Sequence, residues 1–204
     1  MRLCLIAAAI VAVSAGCGDL TEPPQAASTG PLSTVAVTTP ERLLEEDRDP
    51  ANLLANPSFE AGVEPWKPIG ESSGLRSVPS VRRFGRAALR VTATDLATYG
   101  AVNVGAVVNP TRGDVYAFTA WLKADRSKDI ALVLQVVRAN NTVETIASKT
   151  ERVGEEWHRI RIRGRVTSRN GVSLYIVVQV RRSIAIGDAF FMDAVTLDHT
   201  PPPR

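Results

Sequence analysis

The sequence predicts an all-β fold in which short strands form an antiparallel sandwich. Segments rich in aromatic and β-branched residues recur beyond Pro50. Turn-forming Gly, Asn, Asp and Pro separate these segments, as at 139–141 and 168–171. The chain shows little of the 3.6-residue periodicity that a long helix requires. Regular strand spacing with few helices is typical of β-sandwiches.

Six strands are predicted in the second half of the chain. The first follows a turn at 110–114 and contains Tyr116 and Trp121, which are strong β-formers. The full set is 116–123, 130–137, 142–147, 157–165, 172–180 and 189–197. A helix across 43–54 is the alternative nearer the start, but Pro50 and an acidic run argue against it.

One predicted strand, 157–165, alternates arginine with apolar residues. Ile160 and Ile162 should point inward, which places four arginines on the other face: Arg159, Arg161, Arg163 and Arg165. Like charges in such a ladder repel each other unless acids or anions lie across from them. We expect a neighbouring strand to supply the acids, from Glu144, Glu151 or Asp125. The alternative is an anionic partner, either a uronic-acid polymer or lipid phosphates.

The first residues are typical of an export signal. A basic start precedes an apolar run at 3–13 that is too short to span a bilayer. Small residues then lead to Cys17, and this arrangement resembles the lipobox of bacterial lipoproteins, although Ser14 replaces the usual aliphatic residue. The resemblance implies a signal peptide at 1–16 and a lipid on Cys17. The alternative is an ordinary signal peptide that is cut near Ala15.

Residues 17–50 are predicted to form a flexible tether. They are rich in Thr, Ser, Pro and Ala, become acidic towards Pro50, and hold seven acids and two bases. With Arg2 in the signal, residues 51–204 keep 21 of the 24 bases and 14 of the 21 acids, a formal charge of +7 against +3 for the whole chain. This asymmetry indicates attraction between tether and domain, or an anionic environment or ligand. Solubility alone would explain it equally well.

Cysteine placement predicts a folded domain without disulfides. Cys4 lies in the apolar run and Cys17 would carry the lipid, so residues 51–198 contain no cysteine. The domain must therefore be held together by burial of its core, helped at most by a bound metal ion. Its length of about 150 residues suits one domain. A Pro-rich tail is predicted at 199–204.

A motif at the start of this domain carries a family resemblance. Residues 52–62 read Asn-Leu-Leu-Ala-Asn-Pro-Ser-Phe-Glu-Ala-Gly, and Trp66 follows. This segment resembles the opening of carbohydrate-binding modules of the CenC type, and similar pieces recur in order at 85–91, 116–125, 156–157 and 190–197. The resemblance covers 51–198. It implies a galactose-binding-like jelly roll that binds carbohydrate and has no catalytic function.

The same resemblance implies a structural calcium ion. In such modules calcium joins the first strand to the last, and the matching carboxylates are Glu60 and Asp193. Because calcium takes six to eight oxygen ligands, backbone oxygens near Ser58 and Ala87 would complete the site. The alternative is that both carboxylates accept hydrogen bonds from backbone or arginine groups.

The resemblance further implies a sugar-binding cleft on a concave sheet. Tyr99 falls where related modules place a platform aromatic, and Asn103 would share its strand face. Three more residues lie on strands that would line the same sheet: Gln135, Gln179 and Arg181. The alternative for Tyr99 is an ordinary tyrosine at the edge of a loop. Three tryptophans match core or framework positions and are not predicted to bind sugar: Trp66, Trp121 and Trp157.

The residue inventory gives little support for catalysis. His158 lies beside a framework tryptophan, and the neighbouring carboxylates of Glu155 and Glu156 would point apart, which does not suit glycoside hydrolysis. We therefore predict a membrane-anchored lipoprotein, facing the periplasm or the cell exterior, that binds polysaccharide or oligosaccharide. The alternative is an envelope adaptor or structural lipoprotein whose sandwich binds another protein or an anionic surface. Nucleic acid is not expected as a partner of an exported chain that lacks interleaved exposed aromatics.

Overall fold

The computed structural model describes residues 51–182 and 184–202, which contain ten β-strands and no helix. The strands are β1 (Trp66–Pro68), β2 (Ser73–Val78), β3 (Ala88–Ala93), β4 (Tyr99–Val108), β5 (Val115–Ala124), β6 (Lys128–Arg138), β7 (Val143–Val153), β8 (His158–Arg165), β9 (Gly171–Val180) and β10 (Ala189–Thr200). These residues accordingly include no helix that could span a membrane. The predicted signal peptide at 1–16, Cys17 and the tether at 17–50 lie outside the described residues.

Two five-stranded antiparallel sheets make up the fold. Sheet A has the order β1-β4-β9-β6-β7, and sheet B has the order β2-β3-β10-β5-β8. This architecture confirms the predicted antiparallel sandwich, and a strand lies at each of the six predicted positions. The spatial order differs from the chain order, so most sheet neighbours are distant in sequence. Strand pairing therefore decides which side chains meet.

The last strand extends beyond the predicted end of the domain at 198. His199 lies opposite Tyr116 and Thr200 opposite Val115 in the β10–β5 pairing. The His199 ring stacks on Tyr116 with centroids 4.9 Å apart, and its Nε2 lies 3.0 Å from Asp114 Oδ1. β10 therefore continues two residues past the boundary predicted at 198, and these contacts hold the first part of the predicted tail in sheet B.

The core lies between the two sheets and follows the alternation of each strand. On β9 the core residues are fully buried: Leu174, Ile176, Val178 and Val180. On β8 the predicted inward residues Ile160 and Ile162 are 2% and 5% exposed, which confirms that prediction. Trp66 packs between Phe59 and Phe118, at centroid distances of 6.2 and 6.3 Å, and is a core residue as predicted. One apolar layer therefore joins both sheets.

A buried charge cluster links the turn between β5 and β6 to the segment before β10. Lys128 is 3% exposed, and its Nζ lies 2.9 Å from Asp125 Oδ1 and 3.2 Å from Asp188 Oδ2. Arg126 donates to both oxygens of Asp188, at 2.9 and 2.6 Å. The Arg126 hydrogen bond is the largest influence on the pKa of Asp188, which falls to about 2 even though burial opposes the shift. A buried ammonium group thus lies between two carboxylates, of which only that of Asp188 is buried.

Candidate functional site

The face of sheet A that points away from the core is called here the open face of sheet A. Since Leu174, Ile176 and Val178 face the core, strand alternation places Tyr175, Val177 and Gln179 on this open face. β9 lies between β4 and β6 at the middle of the sheet, so these side chains occupy its centre. The open face is therefore organised around β9.

Tyr175 provides the aromatic ring of the open face. It is half-buried and lies directly opposite Gln135 in the β9–β6 pairing. The sheet surface next to this ring consists mainly of small apolar side chains. Val177 lies opposite Val133, and Ala131 lies opposite Gln179. Sequence reasoning missed Tyr175, although a signal was available. The residue lies four positions before Gln179 on a predicted strand and must therefore share its face.

Further polar groups of the open face lie towards the end of β9, four and six residues beyond Tyr175. With the Gln179 amide oriented to present its oxygen, that oxygen accepts hydrogen bonds from Arg181 Nε at 3.0 Å and Nη2 at 2.6 Å. Gln179 thus holds an exposed guanidinium group at the end of β9. Three of the predicted sugar-binding residues are brought together in this region: Gln135, Gln179 and Arg181. A half-exposed ring with one amide opposite it and a guanidinium group further along the same strand face suits an extended ligand that has an apolar face and hydroxyl groups.

The prediction for Tyr99 and Asn103 is wrong in this structure. Tyr99 is fully buried and packs against Phe190 with a centroid distance of 5.8 Å, while Asn103 is 2% exposed and lies opposite Trp66. The two residues do share a strand face, as predicted, but that face is the core. Burial also raises the pKa of the Tyr99 phenol. A ring without exposed surface is unable to stack on a sugar.

The two predicted calcium-binding carboxylates both hold the loop between β2 and β3. Asp193, which is fully buried, accepts the backbone N–H groups of Arg83 and Phe84 at 2.7 and 2.9 Å. Glu60 accepts the backbone N–H groups of Arg86 and Ala87. The described residues offer no group of three or more His, Cys, Asp or Glu side chains for a metal. Calcium would therefore need backbone oxygens for most of its ligands.

The arginine ladder on β8 is not neutralised as predicted. The strand beside β8 is β5, which places Trp121, Thr119 and Ala117 opposite Arg159, Arg161 and Arg163. The three acids that we expected there bond elsewhere: Glu144 to Thr167 and Ser168, Glu151 to Lys149, and Asp125 to Lys128. Arg161 reaches Asp198 on β10 at 3.3 Å, which is the only ion pair that the ladder makes with a described residue.

Trp121, which was predicted to be a core or framework residue, lies outside the core. Its neighbours on β5, Ala120 and Leu122, are fully buried in the core, so the indole projects from the opposite face of sheet B. It is half-exposed there and meets the edge of Phe84 at a centroid distance of 5.9 Å. The outer face of sheet B therefore has an aromatic pair of its own.

Comparison with known proteins gives one family match and a set of structural matches. Residues 51–183 match the model of a family described as "Carbohydrate binding domain". No curated protein matches the sequence. The fold resembles the CBM22-1 xylan-binding domain of Xyn10C from Paenibacillus barcinonensis, with a TM-score of 0.59, 18% identity, and coverage of 74% of this chain and 96% of that one.

Two further solved structures share the fold. A domain described as "Family 16 Carbohydrate Binding Module-2" matches with a TM-score of 0.53 and 20% identity. The match covers 72% of this chain and 99% of that one. TmCBM61, solved in complex with β-1,4-galactotriose, matches with a TM-score of 0.51 and 21% identity over 73% of this chain and 99% of that one. At these identities the likeness concerns the jelly-roll fold.

Proposed function

This chain belongs to the carbohydrate-binding domain family, and we propose that the open face of sheet A is its polysaccharide-binding surface. The observation that carries the proposal is the half-exposed ring of Tyr175 at the centre of the sheet, directly opposite Gln135. The family match also supports a binding domain over an enzyme, in agreement with the residue inventory, and does not favour the adaptor role.

The proposed binding mode assigns a role to each group. The Tyr175 ring stacks on the apolar face of a pyranose, and the amide of Gln135 hydrogen-bonds its hydroxyl groups. Arg181, held by the buried amide of Gln179, adds donors at the end of β9. One exposed ring supplies modest energy, so we expect dissociation constants near 1 mM, which correspond to about 4 kcal/mol. The xylan-binding and galactotriose-bound structures support neutral β-linked glycans as first candidates.

Affinity gel electrophoresis of the full chain with xylan and β-1,4-galactan tests this proposal. We expect retardation by at least one of these polysaccharides and a loss of about tenfold in affinity for Tyr175→Ala, because the stacking ring is removed. Tyr175→Phe keeps the ring and should retain most binding. Tyr99→Phe is the matched control, because it removes only a buried hydroxyl. Equal retardation of the wild type and Tyr175→Ala would show that the open face of sheet A is not the binding surface.

Membrane anchoring is the second part of the proposal. The lipobox-like segment that ends at Cys17 supports export and lipid attachment, with the tether at 17–50 holding the domain near the membrane. A chain of this length spans roughly 30 Å if it is flexible. Incorporation of labelled palmitate tests the anchor: wild type should be labelled and Cys17→Ser should not. Labelling of both chains, or of neither, would contradict lipid attachment at Cys17.

Calcium is the third part of the proposal. Glu60 and Asp193 hold the same loop, and the backbone is left-handed beside both, with φ of 62° at Phe59 and 45° at Ala194. Strained backbone of this kind clusters at functional sites, and two carboxylates held this way suit a cation whose other ligands are backbone oxygens. We expect EGTA to lower the melting temperature by several degrees and added Ca²⁺ to restore it. An unchanged transition in calorimetry would show that the amide hydrogen bonds alone satisfy these carboxylates.

A further inference from the structure

A second groove, called here the Trp121 groove, lies on the outer face of sheet B. Its volume is about 280 Å³, and its lining includes Phe84, Trp121, Arg159, Arg161, Thr196 and Asp198. This volume lies just below the usual range for small-molecule sites, which begins at about 300 Å³. Because the two sheets pack face to face, the groove lies on the opposite side of the sandwich from Tyr175. The two surfaces share no residue.

The aromatic wall of the groove is held in place by the fold. Trp121 and Phe84 meet nearly at right angles, with an interplanar angle of 80°. The guanidinium group of Arg83 lies over both rings, 4.6 Å from the Trp121 centroid and 4.9 Å from that of Phe84. Asp193 fixes the backbone of Arg83 and Phe84 from inside the core. Arg83 covers part of this aromatic surface and fixes it, so a ligand would meet the remaining part already positioned, which reduces the entropic cost of binding.

The other wall of the groove is cationic. Arg159 lies opposite Trp121 in the β5–β8 pairing, and Arg161 lies opposite Thr119. Both arginines are exposed. Asp198, which pairs with Arg161, is the single acidic residue in the groove lining. Within residues 51–182 and 184–202, Arg159 has no carboxylate partner. Guanidinium groups bind carboxylates through paired hydrogen bonds, so this wall is complementary to an organic anion.

We propose that the Trp121 groove binds an acidic sugar residue, such as the uronic acid of an anionic polysaccharide. The indole contacts the apolar face of the pyranose, Arg159 and Arg161 bind its carboxylate, and Thr196 and Asp198 bind its hydroxyl groups. Two rings that meet nearly at a right angle provide a pocket for a ring-shaped ligand such as a pyranose. Binding to a lipid surface would require only exposed positive charge. This site adds a second glycan specificity to the one proposed for sheet A and does not depend on it.

Isothermal titration of the full chain with oligogalacturonate, and with a neutral xylo-oligosaccharide of the same length, tests this assignment. We expect oligogalacturonate to bind and Trp121→Ala to weaken that binding about tenfold or more, while Trp121→Phe retains most of it. Arg159→Ala should weaken binding more than Arg163→Ala. The second variant is the matched control, because Arg163 lies on the same strand but does not line the groove. Tyr175→Ala should leave oligogalacturonate binding unchanged, which separates this site from the open face of sheet A.

Three results would overturn the assignment. The first is no binding of oligogalacturonate. The second is equal weakening by Arg159→Ala and Arg163→Ala, which would indicate unspecific attraction to the charged ladder. The third is binding to vesicles that contain anionic phospholipid without binding to the oligosaccharide. If Trp121→Ala fails to fold in a thermal melt, the arginine pair still decides the question, because both arginines are exposed.

Discussion

Asp188→Asn is expected to lower the free energy of unfolding by about 3–5 kcal/mol. The substitution removes the negative charge that lies 3.2 Å from the buried Nζ of Lys128, and the remaining partner, Asp125, has a side chain that is 38% exposed. A buried ammonium group that loses its buried counter-charge is costly because the protein interior does not replace the lost hydration. Urea unfolding followed by circular dichroism measures the change.

The matched control for this substitution is Asp129→Asn. Asp129 pairs with Arg152 at 3.1 Å, but both side chains are more than half exposed, so the expected loss is below about 1 kcal/mol. Similar losses in the two variants would mean that burial of the Lys128 cluster contributes little to stability.

The same cluster should also make stability depend on acid. The pKa of Asp188 is about 2 in the folded chain and ordinarily 3.8, so its stabilising contribution is complete above the ordinary value. It is lost as the pH falls through the folded pKa. Asp188→Asn should therefore lose less stability than wild type over this acidic range, and parallel profiles for the two chains would contradict the linkage.

Gly100→Ala is expected to cost about 3 kcal/mol and to remove glycan binding at the open face of sheet A. A Cβ atom at this position would clash with the carbonyl oxygen of Val178 and would lie 2.8 Å from the Cα of Gln179. Both contacts are with the backbone of β9, which pairs with β4 at this point, so a change of side-chain rotamer does not relieve them. The two strands must separate, and Gln179 moves with β9.

Gly154→Ala provides the control, because a Cβ atom there meets nothing within 4 Å. We expect its stability to stay within about 0.5 kcal/mol of wild type. Thermal melting together with the xylan and galactan gels compares the two variants. A Gly100→Ala chain as stable as Gly154→Ala would show that β4 and β9 can pair at a greater distance than they do here.

The strands and the family could be predicted from the sequence because both depend on local patterns. Turn residues at 139–141 and 168–171 mark the ends of strands, and alternation placed Ile160 and Ile162 in the core. The opening motif at 52–62 identified the carbohydrate-binding family. None of these inferences required knowledge of which strands are neighbours.

The face on which each tyrosine lies depends on information that the sequence does not carry locally. Tyr99 and Tyr175 both lie on alternating strands, and their sequence surroundings do not show which ring the opposite sheet covers. The second sheet buries Tyr99 against Phe190 and leaves Tyr175 half-exposed. Sequence reasoning therefore expected an exposed ring at Tyr99, which is buried, while Gln135 and Gln179 lie together on the open face of sheet A.

The sequence by itself determined an all-β sandwich with alternating strands, a disulfide-free domain and a four-arginine ladder. Only the tertiary structure decided what faces that ladder. Spatial strand order pairs β8 with β5, so Trp121 lies opposite Arg159 and the expected acids bond elsewhere. The physical reason is that alternation is a property of each strand alone, whereas sheet order and face burial result from packing between strands far apart in the chain.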